Sequence, residues 1–300
     1  MHAALRDVAA PVLADYRASW QCRAKRNREA AMKIASFNIN GIKARGPALA
    51  RWLDEAQPDL AVLQEIKSVD ESFPRDLIEE RGYNLETHGQ KGFNGVAILS
   101  KSPLEDVIRG LPGDDSDTQA RWIEATVTGE HHALRVCGLY LPNGNPVELE
   151  SDGTSRPGGK YAYKLNWMAR MEARVRALMA QELPLVVTGD FNIIPQAEDA
   201  ARPDAWREDA LFRLPSRAAF RRLMNLGLTD AFRARYQGPG HYTFWDYQAG
   251  AFDRNDGIRI DHILLNAYAA DLLRDCRIDS EVRAGEKPSD HVPIWADLAL

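Results

Sequence analysis

The chain has 300 residues, 45% of them hydrophobic and 27% charged, with a formal net charge of −5. That is the balance of an ordinary globular enzyme, and no stretch is long and apolar enough to span a membrane, so a soluble cytoplasmic protein is expected. A mildly acidic chain does not advertise nucleic-acid binding, yet it can hold DNA where Lys and Arg gather on one face.

Residues 1–31 stand apart. Arg6, Arg17, Arg23, Lys25, Arg26 and Arg28 outweigh Asp7, Asp15 and Glu29, and no apolar signal core is present. This segment reads as a poorly ordered extension rather than a transit peptide or DNA tether, leaving residues 32–300 as a single domain. Strand-like apolar runs follow at 34–37, 60–63, 96–99, 122–127, 134–139, 185–187, 263–265 and 292–298. The pair at 122–127 and 134–139 flanks a polar turn and predicts an antiparallel hairpin, with His131 and His132 exposed at its tip. Helical stripes are formed by Leu49, Trp52 and Leu53, by Leu165, Met168, Met171, Val175, Leu178 and Met179, and by Phe220, Leu223, Met224 and Leu226. Strands mixed in this way predict an α/β protein with two mixed β-sheets packed face to face and helices outside. Loops at 111–117, 142–159 and 237–241 are candidates for substrate contact. Asp114, Asp115 and Asp117 read as a solvated loop. Lys160, Tyr163 and Lys164 read either as phosphate ligands or as a solvated helix start. The three cysteines, Cys22, Cys137 and Cys276, imply no disulfide framework, and the last two lie in apolar runs.

Five polar clusters follow apolar runs along the chain. They are Phe37-Asn38-Ile39-Asn40, Gln64-Glu65, Tyr140 with Pro142-Asn143-Gly144, Gly189-Asp190-Phe191-Asn192, and Ser289-Asp290-His291. Strand ends can converge on one crevice. Carboxylates crowded there with no lysine among them repel one another, and a divalent cation is the remedy. Mg²⁺ is the default for oxygen ligands, with Mn²⁺ a substitute. Glu65 is the first metal-ligand candidate, because a glutamate in an apolar strand context is costly unless paired or metal-bound, with Asn38 beside it. Asp190 could orient or deprotonate water, and Asn192 could donate to a phosphate oxygen. Asp290 would face the metal and His291 the phosphate.

The string from Met32 to Arg45, with Leu63-Gln64-Glu65-Ile66-Lys67, Gly189-Asp190-Phe191-Asn192, Arg259-Ile260-Asp261-His262 and Lys287-Pro288-Ser289-Asp290-His291, resembles bacterial exonuclease III. The clusters stand in that family's order, within the Mg²⁺-dependent endonuclease/exonuclease/phosphatase superfamily and its abasic-site repair branch. Asn40 matches the bacterial pattern, where some eukaryotic relatives carry an acid. The resemblance implies a four-layer α/β sandwich built from two similar halves. It implies metal ligands among Asn38, Glu65, Asp190, Asn192 and Asp290. It also implies an Asp261–His291 pair, a Tyr140 hydroxyl on the scissile phosphate, and Trp245 lining a pocket for the abasic sugar. The implied activity is Mg²⁺-dependent cleavage 5′ to abasic sites, trimming of blocked 3′ ends and 3′→5′ degradation of double-stranded DNA, by a monomer. One rival is the same chemistry on sphingomyelin or an inositol phosphate, but no apolar docking loop or signal accompanies it. Another is a catalytically dead DNA-binding module, but no active-site position is lost.

Overall fold

Successive strand residues point to opposite faces, and in this chain most interior strands are apolar on both faces, two of them carrying Glu124 and Asp297 on their outer faces. The computed structural model describes residues 31–128 and 133–299. Its strands in chain order are β1 (Met32–Asn38), β2 (Leu60–Gln64), β3 (Asn84–His88), β4 (Val96–Ser100), β5 (Leu104–Arg109), β6 (Trp122–Thr128), β7 (Ala133–Tyr140), β8 (Leu185–Asp190), β9 (Thr229–Asp230), β10 (Asp261–Leu265), β11 (Leu273–Ile278) and β12 (Ile294–Leu298). The helices are α1 (Ile42–Ala56), α2 (Asp76–Glu79), α3 (Lys160–Met179), α4 (Leu214–Met224), α5 (Ala231–Arg235) and α6 (Ala267–Ala270).

Two six-stranded sheets result, ordered β11-β12-β1-β2-β4-β3 and β5-β6-β7-β8-β10-β9. Each has one parallel pair at its centre, β1 with β2 and β7 with β8, and every other pairing is antiparallel. A parallel pair needs a crossover. Helix α1 supplies the first and α3 the second, so the halves share one plan. The predicted hairpin is β6–β7.

Alternation sorts the core into layers. Ile34, Leu60, Val62, Val96 and Ile98 of the first sheet meet Ile123, Val136, Val186 and Ile263 of the second. Their neighbours Ala35, Ala61, Leu63, Ala97 and Leu99 face outward onto Leu49, Trp52 and Leu53 of α1. Leu185, Val187 and Leu264 face outward onto Trp167, Met171 and Val175 of α3 and onto Phe220 and Leu223 of α4. The order is helix, sheet, sheet, helix, the predicted four-layer sandwich. Each fully buried Leu, Ile or Val contributes about 1.5–3 kcal/mol, so this core carries the fold. The last strand starts at Ile294, two residues later than its apolar run, because Pro293 offers no N–H to the ladder. Cys137 and Cys276 are free and buried, as expected. The expectations for residues 1–30 and for His131 and His132 lie outside the described residues.

Candidate active site

The two parallel pairs end on one rim. Asn38, Gln64, Tyr140 and Asp190 are the last residues of β1, β2, β7 and β8. Antiparallel β10 starts there, with Asp261 in register with Asp190. His291 enters the same rim just before β12. Glu65 and Asn192 take left-handed backbone, φ 50° and 47°, and so turn the chain at the mouth. Gly189 has φ 151°, and a Cβ there would lie 1.9 Å from the Leu139 carbonyl oxygen. Only glycine lets β8 approach β7 this closely immediately before Asp190.

Glu65, Asp190 and His291 bring ligand atoms within 4.8 Å of one another. Asn38 Nδ2 donates to Glu65 Oε1 at 2.9 Å and to Asp190 Oδ2 at 3.0 Å, fastening the two carboxylates. Ser289 Oγ in turn donates to the Asn38 carbonyl at 2.7 Å. His291 Nδ1 lies 2.8 Å from Asp261 Oδ2, and its Nε2 lies 3.7 Å from Asp190 Oδ2. Thr243 Oγ1 accepts the Ile260 and Asp261 amides, both at 3.1 Å, which sets the strand carrying that acid. Asp190, Asp261 and His291 are 1%, 0% and 4% exposed, so these charges act in a low-dielectric setting. Among the described residues, buried Asp261 Oδ1 has no hydrogen-bond partner.

Burial raises the Asp190 carboxyl to about 7, with Asp261 and Glu65 adding to the rise and His291 and the Asn192 amide opposing it. Burial works against a charged His291, but Asp261 and Asp190 overcome it and hold the imidazole up to about 10. Burial followed by Glu65 and Asp190 keeps the Tyr140 phenol well above its ordinary value. Glu65 is held below the ordinary carboxylate range, because Lys67 and Asn38 outweigh its burial. At neutral pH the rim therefore offers an imidazolium, a protonated phenol, an ionised glutamate and an aspartyl group able to exchange a proton.

Asn38, Glu65, Tyr140, Asp190, Asp261 and His291 come together. Asn192 sits beside them but is tied down: its amide donates to Leu141 O at 2.9 Å, and its Oδ1 accepts from Asn143 at 3.1 Å. Asp290 accepts from Asn40 Nδ2 at 2.9 Å and is absent from the Glu65–Asp190–His291 group. Trp245 is 3% exposed and packs with Tyr242, Ala251 and Val292. It lines a cavity of about 650 Å³ whose walls include none of Glu65, Asp190 and His291. The ring against the site is that of Phe244, edge-on to His291 with centroids 5.0 Å apart. Adjacent residues of an extended segment face opposite ways, and here it is Phe244 that faces His291.

The premise that no lysine stands among the carboxylates is corrected. Lys67 Nζ is 2.8 Å from Glu65 Oε2 and also donates to Asn40 Oδ1. Left-handed backbone at Glu65 and Lys67 folds the lysine back onto the acid. Arg259, two residues before Asp261, forms its ion pairs with Asp199 and Asp230. Lys164 is fully buried, so neither the phosphate-ligand nor the solvated reading applies to it. Asp117 is held by Tyr163 and Arg170 rather than solvated.

Glu65 Oε1 and Asp190 Oδ2 share the Asn38 amide and present hard oxygen donors, a set that fits a divalent cation.

Residues 35–291 match the Endonuclease/Exonuclease/phosphatase family, and the chain belongs to it. It is 37% identical to exodeoxyribonuclease III of Haemophilus influenzae over 274 residues, covering 89% of this chain and all of that protein. An AP endonuclease from Archaeoglobus fulgidus superposes with a TM-score of 0.81 at 34% identity, over 90% of this chain and 100% of the other. A Neisseria 3′ phosphatase bound to a product DNA hairpin gives 0.82 at 39%, over 89% of this chain and 99% of the other. Nucleases of this kind are metal-dependent, in keeping with the acidic group at the rim.

Proposed function

We propose that this protein is a Mg²⁺-dependent DNA-repair phosphodiesterase. It cleaves 5′ to abasic sites, trims blocked 3′ ends and degrades duplex DNA 3′→5′. The observation that carries the reading is the Asp261–His291 pair set against Asp190 and Glu65 where the two sheets meet. The match to an exodeoxyribonuclease III and the likeness to an AP endonuclease support DNA as the substrate.

Glu65 and Asp190, with Asn38 beside them, would hold Mg²⁺, or Mn²⁺ in its place. When bound, the cation offsets charge on the phosphoryl oxygens. The protein's own groups do the rest. Asp190, with its carboxyl raised to about 7, accepts the proton of the attacking water. His291, kept as imidazolium by Asp261, faces the charge that builds on the equatorial oxygens. The protonated Tyr140 phenol donates to the same phosphate. Asn192 holds Asp190 through its own amide, at 2.8 Å from Oδ1. Phe244, with Ile258 bridged to it, forms an apolar wall for an extruded sugar.

We further take residues 32–300 as one catalytic domain, because β1 at its start is paired with β12 at its end, and take the protein to act as a cytoplasmic monomer. Removing residues 1–31 should then leave turnover and melting temperature unchanged. The function is tested on synthetic abasic duplex, recessed duplex and 3′-phosphate duplex, each with Mg²⁺ and with chelator. Cleavage of none of the three with Mg²⁺ present overturns the reading. The likeness to a 3′ phosphatase favours one narrower alternative, release of 3′-phosphate without abasic cleavage, and the same assay separates the two.

A further inference from the structure

Beneath the rim lies a buried amine that the proposed chemistry does not use. Lys164, in the first half of α3, is fully buried. Among the described residues, the hydrogen-bond acceptors its amine meets are two backbone carbonyls, Asn192 O at 2.6 Å and Asn143 O at 3.0 Å. Among the described residues no carboxylate forms an ion pair with it, and Asp209 and Asp190 act only through space. Burying an ammonium on carbonyls alone is expensive, and burial draws this amine down to about 7 against the pull of Asp209 and Asp190. What it secures is specific. Asn143 follows the end of β7, and Asn192 follows the end of β8. The two are cross-linked by Asn143 Nδ2 to Asn192 Oδ1 at 3.1 Å, and β7 is tied on by Leu141 N to Asp190 O at 2.8 Å. The Asn192 amide holds Asp190 Oδ1 at 2.8 Å. The loop is moulded to the lysine stem: a Cβ on Gly144 would lie 2.7 Å from Lys164 Cδ and 3.0 Å from Ala210 Cβ.

The geometry points to Lys164 as a positioning residue, an amine staple that fixes the Asn192 turn and through it the aim of the Asp190 carboxylate. This rests on the hydrolytic reading above. Misplacing a catalytic group by about 1 Å costs on the order of 100-fold in rate. Lys164→Met keeps the stem and removes the donor. Its kcat on abasic duplex should fall by roughly 100-fold with KM unchanged, and its kcat on bis(p-nitrophenyl) phosphate should fall in the same proportion. Lys164→Gln, uncharged but able to donate to one carbonyl, should lie between the two and serves if the methionine variant does not fold. Leu178→Ala on the same helix provides a destabilised control whose kcat should not move.

The proposal is overturned if either Lys164 variant, folded, turns over like wild type. It is also overturned if Leu178→Ala at a matched melting temperature loses as much rate. Wild type that hydrolyses the small phosphodiester but no DNA defeats the DNA reading alone, and the Lys164 ratio is still decided on that substrate. Wild type that hydrolyses neither defeats both.

Discussion

Two buried charge clusters lie back to back along one short stretch of chain, and they are built on opposite principles. Arg259 and His262 face the outer layer. Arg259 donates to Asp199 and Asp230, both at 2.8 Å, and Arg233 also binds Asp199. Arginines answer aspartates there, and His262 Nε2 meets the Ile193 carbonyl at 3.2 Å. Asp261, between them in sequence, faces the inner rim. That rim gathers Asp261, Asp190 and Glu65 around His291 and Lys67, with Asp261 Oδ1 lacking a partner among the described residues. The compensated cluster is scaffold, and the cluster with a surplus of carboxylate has room for a cation and a phosphate. Burial alone does not mark the site; incomplete compensation does.

The largest effects should come from the rim and should spare stability. Asp190→Asn is expected to lower kcat on abasic duplex by roughly 10³-fold or more while duplex binding stays intact. Its urea midpoint should hold or rise, because the substitution relieves repulsion among buried carboxylates. Near-normal turnover would remove Asp190 from the chemistry.

The scaffold cluster should behave in reverse. Arg259→Met leaves Asp199 and Asp230 short of their cation and should cost about 3–5 kcal/mol in urea denaturation, as breaking buried ion pairs does. The kcat of the molecules that remain folded should be unchanged. A large fall in kcat without loss of stability would mean that the two clusters are one functional unit.

The same contrast has a pH signature. Burial, with Arg259 adding to it, draws His262 down to about 4. Its folded value lies below the ordinary 6.5, so the unfolded chain binds the proton first. Stability is unaffected above pH 6.5 and falls as pH drops from 6.5 towards 4, by roughly 2–3 kcal/mol. His262→Gln should flatten that acid limb in urea midpoints measured across the range. An unchanged slope would place the acid sensitivity elsewhere.

Much of this was legible in the sequence, and the omissions share physical causes. Each interior strand contains an apolar run that faces the other sheet, and all eight are predicted from the sequence. The four missed strands, β3, β5, β9 and β11, are the four sheet edges. Edges are half-solvated: Leu104–Arg109 alternates little and buries little, so its sequence resembles a loop. In the site, strand ends predicted which residues would meet, but not their local geometry. Lys67 was overlooked because two successive departures from extended backbone bring it back to Glu65. Its position two residues after Glu65 was the available signal. Which of Phe244 and Trp245 faces the rim is not legible in the sequence, because the parity of an irregular segment is set by its bridges to Ile258 and His291, which only the fold reveals.

The smallest effect expected is the most discriminating one within the rim. Glu65 and His291 both touch Asp190's neighbourhood, but one is held as an anion by Lys67 and Asn38 and the other as a cation by Asp261. Glu65→Gln keeps an oxygen and loses the charge that binds a hard cation. It should raise the Mg²⁺ concentration for half-maximal activity by about 10-fold, roughly 1.4 kcal/mol of metal binding, with turnover restored at saturating metal. His291→Asn removes the imidazolium that faces the phosphate, so its turnover should stay low at every Mg²⁺ concentration. Rate measured against Mg²⁺ for both variants separates the roles. If excess Mg²⁺ rescues His291→Asn and not Glu65→Gln, the metal ligand and the phosphate partner are reversed, and the surplus carboxylate at the rim serves some purpose other than holding the cation.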